Sequence, residues 1–382
     1  MIETATPRPV PHPGLRSGGG FNTGVHGLRG IAALAVVVAH VMGGLAKHVY
    51  GPETGYPQAV QPFWNFGVFF VYIFFAISGF VILPTVLRYS PLEFALRRFV
   101  RIYPLFLAGT VLFILLNAVT GRQPELQDPA TILYALTFTN LIFGTEQLTP
   151  NAWSLSFEAM FYALACAATA AWIGRRSLLG AAVVTASAAF LLAYPGAIYF
   201  LIGMGVFVLH RRGVVRALPL RGAAELAALV ILAYVGSRQF FAYEPADVFN
   251  GWAQLTALFT AAYFLLAVER DSLTSRVLSA RGAQYLGTIS YSLYLVHPYF
   301  YLPVRLVFSR LGLFGDNHLL ATAVFGAVVI AGSILLAHLS YLAFERFPQE
   351  WVFGRRRQRV PAGPALGARP VVAMVPTRSR EQ

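Results

Sequence analysis

A pair of ionisable residues in one apolar segment is the first candidate for chemistry. Residues 26–40 read HGLRGIAALAVVVAH, with Arg29 and His40 eleven residues apart. On an α-helix that spacing is almost three turns, so both side chains project from nearly the same face, about 16 Å apart along the axis. The apolar run continues to about Leu45 and is long enough to cross a bilayer. Ionisable groups inside a membrane helix are costly, so these two residues predict a functional site.

A carboxylate in a later apolar segment could take part in the same chemistry. Residues 150–162 read PNAWSLSFEAMFY, and Glu158 is the only acid well inside a predicted span. An unpaired carboxylate there is expensive, so it is expected to be neutral, paired or facing water. A carboxylate can fix the tautomer of a histidine and stabilise the imidazolium, which makes the histidine an effective general base. His40 and Glu158 are therefore the predicted catalytic residues; a packed histidine and a purely structural carboxylate are the alternatives.

Two more arginines predict an anion site. Residues 96–104 read LRRFVRIYP, which places Arg98 and Arg101 three residues apart, on one face at the start of a predicted helix after a loop. Arg29 belongs to the same end in the topology derived below, so three guanidiniums could converge on one phosphate-bearing ligand. The alternative, with equal weight for Arg98 and Arg101, is the ordinary positive charge of a cytoplasmic loop.

The composition indicates an integral membrane protein. Of 382 residues, 57% are hydrophobic and only 12% are charged, whereas soluble domains have about 25% charged residues. The net charge of +13 does not indicate nucleic acid, because the basic residues form short clusters between apolar runs. The single cysteine, Cys166, excludes an intrachain disulfide and a cysteine-based zinc site, and no metal site is predicted.

The apolar runs predict an all-α, polytopic membrane protein with about ten transmembrane helices. The predicted spans are 28–46, 66–87, 103–119, 152–174, 178–194, 196–210, 224–241, 250–268, 286–308 and 319–342. The segment 130–144 is too short to cross and is predicted to be re-entrant or interfacial. With the N-terminus inside, the inner segments hold 23 Lys or Arg and the outer segments hold 4. This asymmetry predicts that both termini are cytoplasmic.

The predicted organisation is one membrane domain between two polar ends. Residues 1–25 are predicted to be a flexible cytoplasmic N-terminus, and residues 26–345 the membrane domain. Residues 346–382 are predicted to be a basic, disordered cytoplasmic tail near anionic lipid.

Five motifs in order carry a resemblance to a known family. They are GLRGIAALAVVVAH (27–40), FFAISGF (74–80), RRFVRIYP (97–104), WSLSFEAMFY (153–162) and LGTISYSLYLVHP (286–298). With these motifs the chain resembles the acyltransferase 3 family of bacterial membrane acyltransferases over most of residues 26–345. Arg29 and His40 match the family's arginine and histidine of helix one. Arg98 and Arg101 match its paired-arginine motif, and Glu158 matches its glutamate after the Trp-Ser-Leu signature.

The resemblance implies a reaction and its partners. Similar proteins transfer an acyl group, usually acetyl, from acyl-CoA on the cytoplasmic side to a hydroxyl, often on the far side of the membrane. It implies acyl-CoA as co-substrate with no bound cofactor, and a carbohydrate, glycolipid or small-molecule hydroxyl as acceptor. The expected location is the inner (plasma) membrane of a bacterium. The chain departs from many relatives at His26 and Tyr72, where they have acidic residues.

The combined hypothesis assigns a role to each candidate residue. His40 deprotonates the acceptor hydroxyl, which attacks the thioester carbonyl directly or by way of an acyl-enzyme. The oxyanion needs hydrogen-bond donors, and the candidates for contact with it or with the substrate are Ser78, Trp153, Tyr291 and His297. Close packing at Ser78-Gly79 and hydrogen bonds between helices around Tyr291 are the structural alternatives. The alternative function is a proton-coupled transporter or flippase with His40, Glu158 and His297 as a relay.

Overall fold

The regular structure of the chain is helical, with no strand, in all the residues that the computed structural model describes, which are 22–121, 123–149, 151–241 and 244–354. The all-α class is therefore confirmed. The helices are α1 Thr23–His48, α2 Tyr56–Val86, α3 Pro91–Thr120, α4 Pro129–Leu136, α5 Asn140–Phe143, α6 Trp153–Ile173, α7 Ser177–Ala193, α8 Ile198–Arg212, α9 Arg221–Arg238, α10 Gly251–Ala267, α11 Leu273–Leu278, α12 Arg281–Arg310, α13 His318–Ser340 and α14 Phe347–Gln349.

Short turns of other helical types connect these elements. Turns of 3₁₀-helix cover Pro52–Thr54, Pro124–Gln127, Pro195–Ala197 and Pro245–Phe249, and π-helical turns cover Tyr341–Arg346 and Glu350–Gly354. The helix that begins at α13 thus runs on to Gly354. The predictions for residues 1–21 and 355–382 lie outside the described residues.

Fewer helices than the predicted ten have the length and composition needed to cross a membrane, among the residues that the structure describes. Each predicted span lies on a helix, but in the described part of the chain five helices are both long and apolar enough to cross: α1, α2, α3, α6 and His318–Gly354. A sixth is added if α7 and Pro195–Arg212, which meet at a bend of 119°, form one span. Helix α12 has sufficient length, but Ser290, Ser292 and His297 interrupt its apolar sequence. Membrane-spanning helices are confirmed, and a count of ten is not.

Two predicted local structures are wrong. The segment 130–144 is not one helix but two, α4 and α5, separated where Phe138 adopts a left-handed φ of 56°. Residues 96–104 are not a loop leading into a helix, because α3 begins at Pro91 with Ser90 as its N-cap. Pro104 therefore lies in the helix interior rather than in the first turn. The Ser-Pro pair followed by Glu93 is a helix-start signal. It was missed because the cluster of positive charge after it is typical of a cytoplasmic loop.

Glycines let α1 and α2 approach their neighbours closely. A Cβ at Gly30 of α1 would overlap the backbone nitrogen of Gly287 in α12, and one at Gly79 of α2 would overlap the carbonyl oxygen of Phe200 in α8. Small residues at such contacts are the usual means of tight helix packing in membranes. The close-packing alternative for the Ser78-Gly79 pair therefore holds for Gly79.

Both ends of the described chain lie at the same end of the bundle. Arg29, near the start of α1, interacts electrostatically with Glu345, beyond the end of α13. Glu345 also accepts a hydrogen bond from Ser292 of α12. We call the end that carries Arg29, Arg98 and Arg101 the arginine end, and the opposite end, where α1 terminates at His48, the far end.

Candidate active site

A histidine pair lies in the interior of the bundle. The rings of His40 in α1 and His297 in α12 are 5.0 Å apart between centroids, at an interplanar angle of 65°. The Nδ1 atom of His40 is 2.8 Å from the carbonyl oxygen of Val36. Since a carbonyl can only accept, Nδ1 is the donor, and in the neutral imidazole Nε2 then keeps its lone pair. His40 is therefore in the tautomer that a general base needs, and a backbone carbonyl rather than a carboxylate fixes it.

His297 is held by two further contacts. Its Nδ1 atom is 3.1 Å from the carbonyl oxygen of Leu293, and its Nε2 atom is 3.3 Å from Nδ2 of Asn151. Asn151 also donates to the carbonyl oxygen of Tyr294. Asn151 precedes α6 but does not cap it, because Ala152 is the N-cap residue and makes no side-chain hydrogen bond. Asn151 instead orients the second histidine.

A tryptophan completes the surroundings of His40. The ring of Trp64 meets that of His40 edge-on, with 5.5 Å between centroids. Any Cβ at Gly43 would overlap the indole ring, so that glycine makes room for it. Sequence reasoning missed Trp64 because it started the second span at residue 66, whereas α2 begins at Tyr56.

Glu158 does not contact His40. Its carboxylate accepts a hydrogen bond of 2.8 Å from the Ser78 hydroxyl and another from the Tyr162 hydroxyl. Among the described residues, no hydrogen bond or ion pair joins it to His40. The predicted proximity of Glu158 and His40 is therefore not seen.

The depth at which α6 begins explains the separation. Ser154 in its first turn bonds to the Tyr294 hydroxyl, beside His297, so α6 starts inside the bundle rather than at its far end. Glu158 is four residues further along and lies about 6 Å closer to the arginine end. It interacts there with Arg29.

The three predicted arginines do gather at one end. Arg29 and Arg101 interact electrostatically, and neither guanidinium makes a hydrogen bond or an ion pair within the described part of the chain. Arg98 lies over the rings of Phe94 and Tyr162 and donates a 3.4 Å hydrogen bond to Thr85. Two guanidiniums close together repel each other. The nearby carboxylates of Glu158 and Glu345 offset part of that repulsion, and an anion hydrogen-bonded to both guanidiniums would offset more.

A cavity of about 330 Å³ opens at the arginine end. Its lining includes Arg101, His26 and Glu345. Glu345 is only 3% exposed, accepts a 2.5 Å hydrogen bond from Ser292, and interacts with Arg29 and Arg101. Sequence reasoning missed Glu345 because it ended the last span at residue 342. No glycine or proline follows Ser340 before Pro348, which was the available signal that the helix continues.

The remaining candidates have partners inside the fold. Ser78 bonds to Glu158, and the Tyr291 hydroxyl donates a 2.7 Å hydrogen bond to the carbonyl oxygen of Ile102. The ring of Trp153 packs against Phe75 and Phe157. Their contact with substrate stays a prediction. In the described residues no cluster of three or more His, Cys, Asp or Glu side chains could hold a metal ion.

A comparison with protein families decides what kind of protein carries this site. The model of an acyltransferase domain, acyltransferase 3, matches residues 22–338. The chain belongs to the acyltransferase 3 family. Comparisons with curated proteins and with solved structures give no significant match. The histidine pair, the three arginines and Glu158 lie inside the matched range of this acyltransferase, whereas Glu345 lies just beyond it.

The position of Glu158 in the acyltransferase yields a stability prediction. Glu158→Gln should destabilise the free protein by about 1–3 kcal/mol, because the arginine end loses a hydrogen-bonded negative charge. Anionic acyl-CoA would compensate for that loss, so the rise in thermal midpoint on adding acyl-CoA should be larger in the variant than in the wild type. Thermal unfolding in detergent, with and without acyl-CoA, measures both effects.

The control for this prediction is Glu93→Gln. It removes the same charge from an exposed pair with Arg97 and should alter neither quantity. An unchanged acyl-CoA shift in Glu158→Gln, combined with an altered pH–rate profile, would instead make Glu158 a partner of His40.

Proposed function

We propose that this acyltransferase moves an acyl group, most simply acetyl, from acyl-CoA to a hydroxyl of a carbohydrate or glycoconjugate. The observation that carries the proposal is the state of His40. Its Nδ1–H is held by Val36 and its Nε2 is left as a base, in the interior of a bundle whose one end gathers three arginines. A base that takes a hydroxyl proton is what acyl transfer to an alcohol requires.

The arginine end suits the donor. Coenzyme A carries several phosphates, and guanidiniums bind phosphate oxygens through paired, charge-assisted hydrogen bonds. Arg29 and Arg101 have such donors available, and Arg101 lines the cavity. The long, thin pantetheine arm would cover the roughly 16 Å along α1 from Arg29 to His40. The thioester would then lie beside the histidine pair.

The reaction needs one base and no additional reactant. Nε2 of His40 takes the proton of the acceptor hydroxyl while its oxygen attacks the thioester carbonyl carbon. The tetrahedral oxyanion collapses, the carbon–sulfur bond breaks, and the coenzyme A thiolate takes the proton back from the imidazolium. His297 packs against the His40 ring and Asn151 holds His297, so the base is oriented before substrate binds.

The proposed orientation places the arginine end in the cytoplasm and the acceptor at the far end, across the inner membrane. The segments flanking the arginine end carry most of the Lys and Arg residues, as cytoplasmic segments do. Acyl-CoA is a cytoplasmic metabolite, so the same orientation serves the donor.

Labelled acetyl-CoA tests the reaction class. Purified protein should release coenzyme A and transfer label to an extracted glycan fraction, whereas ion-coupled flux without acyl turnover would support a transporter. Mass spectrometry of glycans and metabolites from a deletion strain should identify the acceptor by the loss of one acyl mass. Complementation with wild type, but not with a His40 variant, should restore that mass.

A further inference from the structure

A line of polar positions leads from the histidine pair to the far end. It consists of two rows of residues, one on α1 and one on α12, which run side by side. Successive residues in each row are four positions apart. The members on α1 are His40, Gly44 and His48, and those on α12 are His297, Tyr301 and Arg305. We call this line the polar seam. Steps of four residues keep side chains on nearly the same face of a helix, so each series faces the other helix along its length.

Each step of the polar seam joins the two helices. The rings of His40 and His297 are in contact at its inner end. One turn further out, the absence of a side chain at Gly44 makes room for the Tyr301 hydroxyl. At the far end His48 and Arg305 interact electrostatically. The distance from His297 to Arg305, eight residues on one helix, is about 12 Å.

Polar atoms are left without partners at the outer part of the polar seam. The hydroxyls of Tyr50 and Tyr301 and Nη1 of Arg305 are buried and appear in no hydrogen bond of the described residues, although the Tyr301 hydroxyl interacts with the guanidinium of Arg305. Tyr50 and Tyr301 are each only 7% exposed. Buried polar groups are almost always satisfied, and an unsatisfied one is a functional signal. Two buried hydroxyls without an acceptor at this end of the bundle, one of them beside the Arg305 guanidinium, indicate a ligand with acceptor oxygens.

The local charge is positive. The guanidinium of Arg305 lies 5.6 Å from the centre of the Tyr301 ring, and the charged neighbours acting on His48 are Arg305 and Lys47. Within the described ranges no carboxylate forms an ion pair with Arg305. A ligand with a phosphate or carboxylate group would supply the missing negative charge.

Aromatic rings form a wall beside these polar atoms. The ring of Tyr50 packs at a tilt against His318, at the start of α13, with 4.3 Å between centroids, and against Tyr56, at the start of α2, with 4.8 Å. Aromatic side chains with polar tips offer a flat apolar face next to hydrogen-bonding groups. That combination matches a sugar ring, whose C–H face is apolar and whose edge carries hydroxyls.

We propose that the far end of the polar seam binds an anionic carbohydrate acceptor through its phosphate or carboxylate group. Arg305 and the hydroxyls of Tyr50 and Tyr301 hold the charged group. The acceptor then extends along the seam for about 12 Å and presents a hydroxyl to His40. The inference rests on the proposed acyl transfer to a hydroxyl and specifies the charge class of its acceptor.

Matched charged and neutral probes test the acceptor class. The full chain in neutral-lipid nanodiscs, without acyl-CoA, is titrated with methyl glucuronide and methyl glucoside, and with glucose 6-phosphate and glucose. Binding is measured by microscale thermophoresis. The wild type should bind each charged probe at least about tenfold more tightly than its neutral counterpart, which is the scale of one charge-assisted contact. Arg305→Gln should abolish that preference, and Arg305→Lys should keep part of it.

The control is Arg310→Gln, which removes an exposed charge at the end of the same helix, outside the polar seam. It should retain the full preference, and acyl-CoA binding should be the same in all four proteins. Equal binding of charged and neutral probes by the wild type, or an unchanged preference in Arg305→Gln, overturns the proposal.

Anionic lipid is the other source of the same chemistry. If Arg305→Gln weakens the binding of phosphatidylglycerol in the nanodiscs but not the binding of charged sugars, the occupant is a lipid headgroup and the acceptor assignment is wrong. Failure of the proposed function is distinguishable, because probe binding is measured without acyl turnover. A protein that binds charged sugars through Arg305 but does not turn over acyl-CoA would refute the reaction and not the site.

Discussion

His40→Ala should reduce acyl transfer by about 10²–10⁴-fold, the contribution typical of a positioned general base. The attacking hydroxyl would have to lose its proton to water instead of Nε2. Acyl-CoA binding should be nearly unchanged, because the arginines lie about 16 Å away along α1. Measurements of acyl transfer and of acyl-CoA affinity on the same purified preparation separate the two effects.

The matched control for His40 is His338. It lies near the end of α13 and its ring contacts Tyr285 rather than the histidine pair. His338→Ala should keep transfer within a few-fold of the wild type. Near wild-type transfer by His40→Ala would eliminate the general-base assignment, and loss of both transfer and acyl-CoA affinity would indicate a structural role.

His297 offers a graded comparison with His40. It packs against His40, but its own nitrogens face Leu293 and Asn151. His297→Ala should therefore lower acyl transfer less than His40→Ala does. Loss of His297 leaves the His40 ring less well oriented, whereas loss of His40 removes the base. The loss of acyl transfer in the double variant should be smaller than the sum of the two single losses in free energy, since both substitutions act through the imidazole of His40.

The sequence was sufficient to identify the class of fold and the family. Apolar segments of membrane length predicted the helices, and fixed spacing placed Arg29 and His40 on one face of α1. The three arginines do gather at one end, although Arg98 and Arg101 lie in a helix that begins at Pro91 and not in a loop. These features depend on local sequence and on the cost of polar groups in lipid, which a single chain shows directly.

The sequence did not show how deep in the bundle each helix begins. Glu158 was predicted to act with His40 because a carboxylate can support a histidine base, and no feature of either segment gave the relative depth of the two side chains. Helix α6 begins inside the bundle beside Tyr294, so Glu158 contacts Ser78 and Tyr162. The pairing of His40 with His297 joins segments more than 250 residues apart, as the numbering in the sequence shows. No periodicity within either segment specifies that pairing.

Arg101→Ala should weaken acyl-CoA binding by about 10- to 100-fold, the loss expected for one charged contact to phosphate. Arg101 lines the cavity and makes no hydrogen bond or ion pair in the described residues, so its donors are available to a ligand. Arg98→Ala should have a smaller effect on affinity, because Arg98 already contacts Thr85 and the ring of Tyr162. Equilibrium binding of acyl-CoA to purified protein gives both values.

The neighbouring Arg97 is the matched control for these two arginines. It belongs to the same helix and carries the same charge, but it pairs with Glu93 and lies over the ring of Tyr89. Arg97→Ala should leave acyl-CoA affinity within about twofold, since exposed ion pairs contribute little. If the three alanine variants bind acyl-CoA equally, the arginines of α3 serve only to orient the protein in the membrane.

Salt distinguishes direct phosphate contacts from a general positive field. The difference in affinity between the wild type and Arg101→Ala should grow as ionic strength falls. Low salt screens the contact between Arg101 and phosphate less, so that contact contributes more to the wild-type affinity. Arg101→Lys should recover part of the affinity, since it keeps the charge but loses the paired geometry of the guanidinium. Dephospho-coenzyme A, which lacks one phosphate, should bind the wild type more weakly. If that penalty disappears in Arg101→Ala but persists in Arg98→Ala, the contact with that phosphate belongs to Arg101.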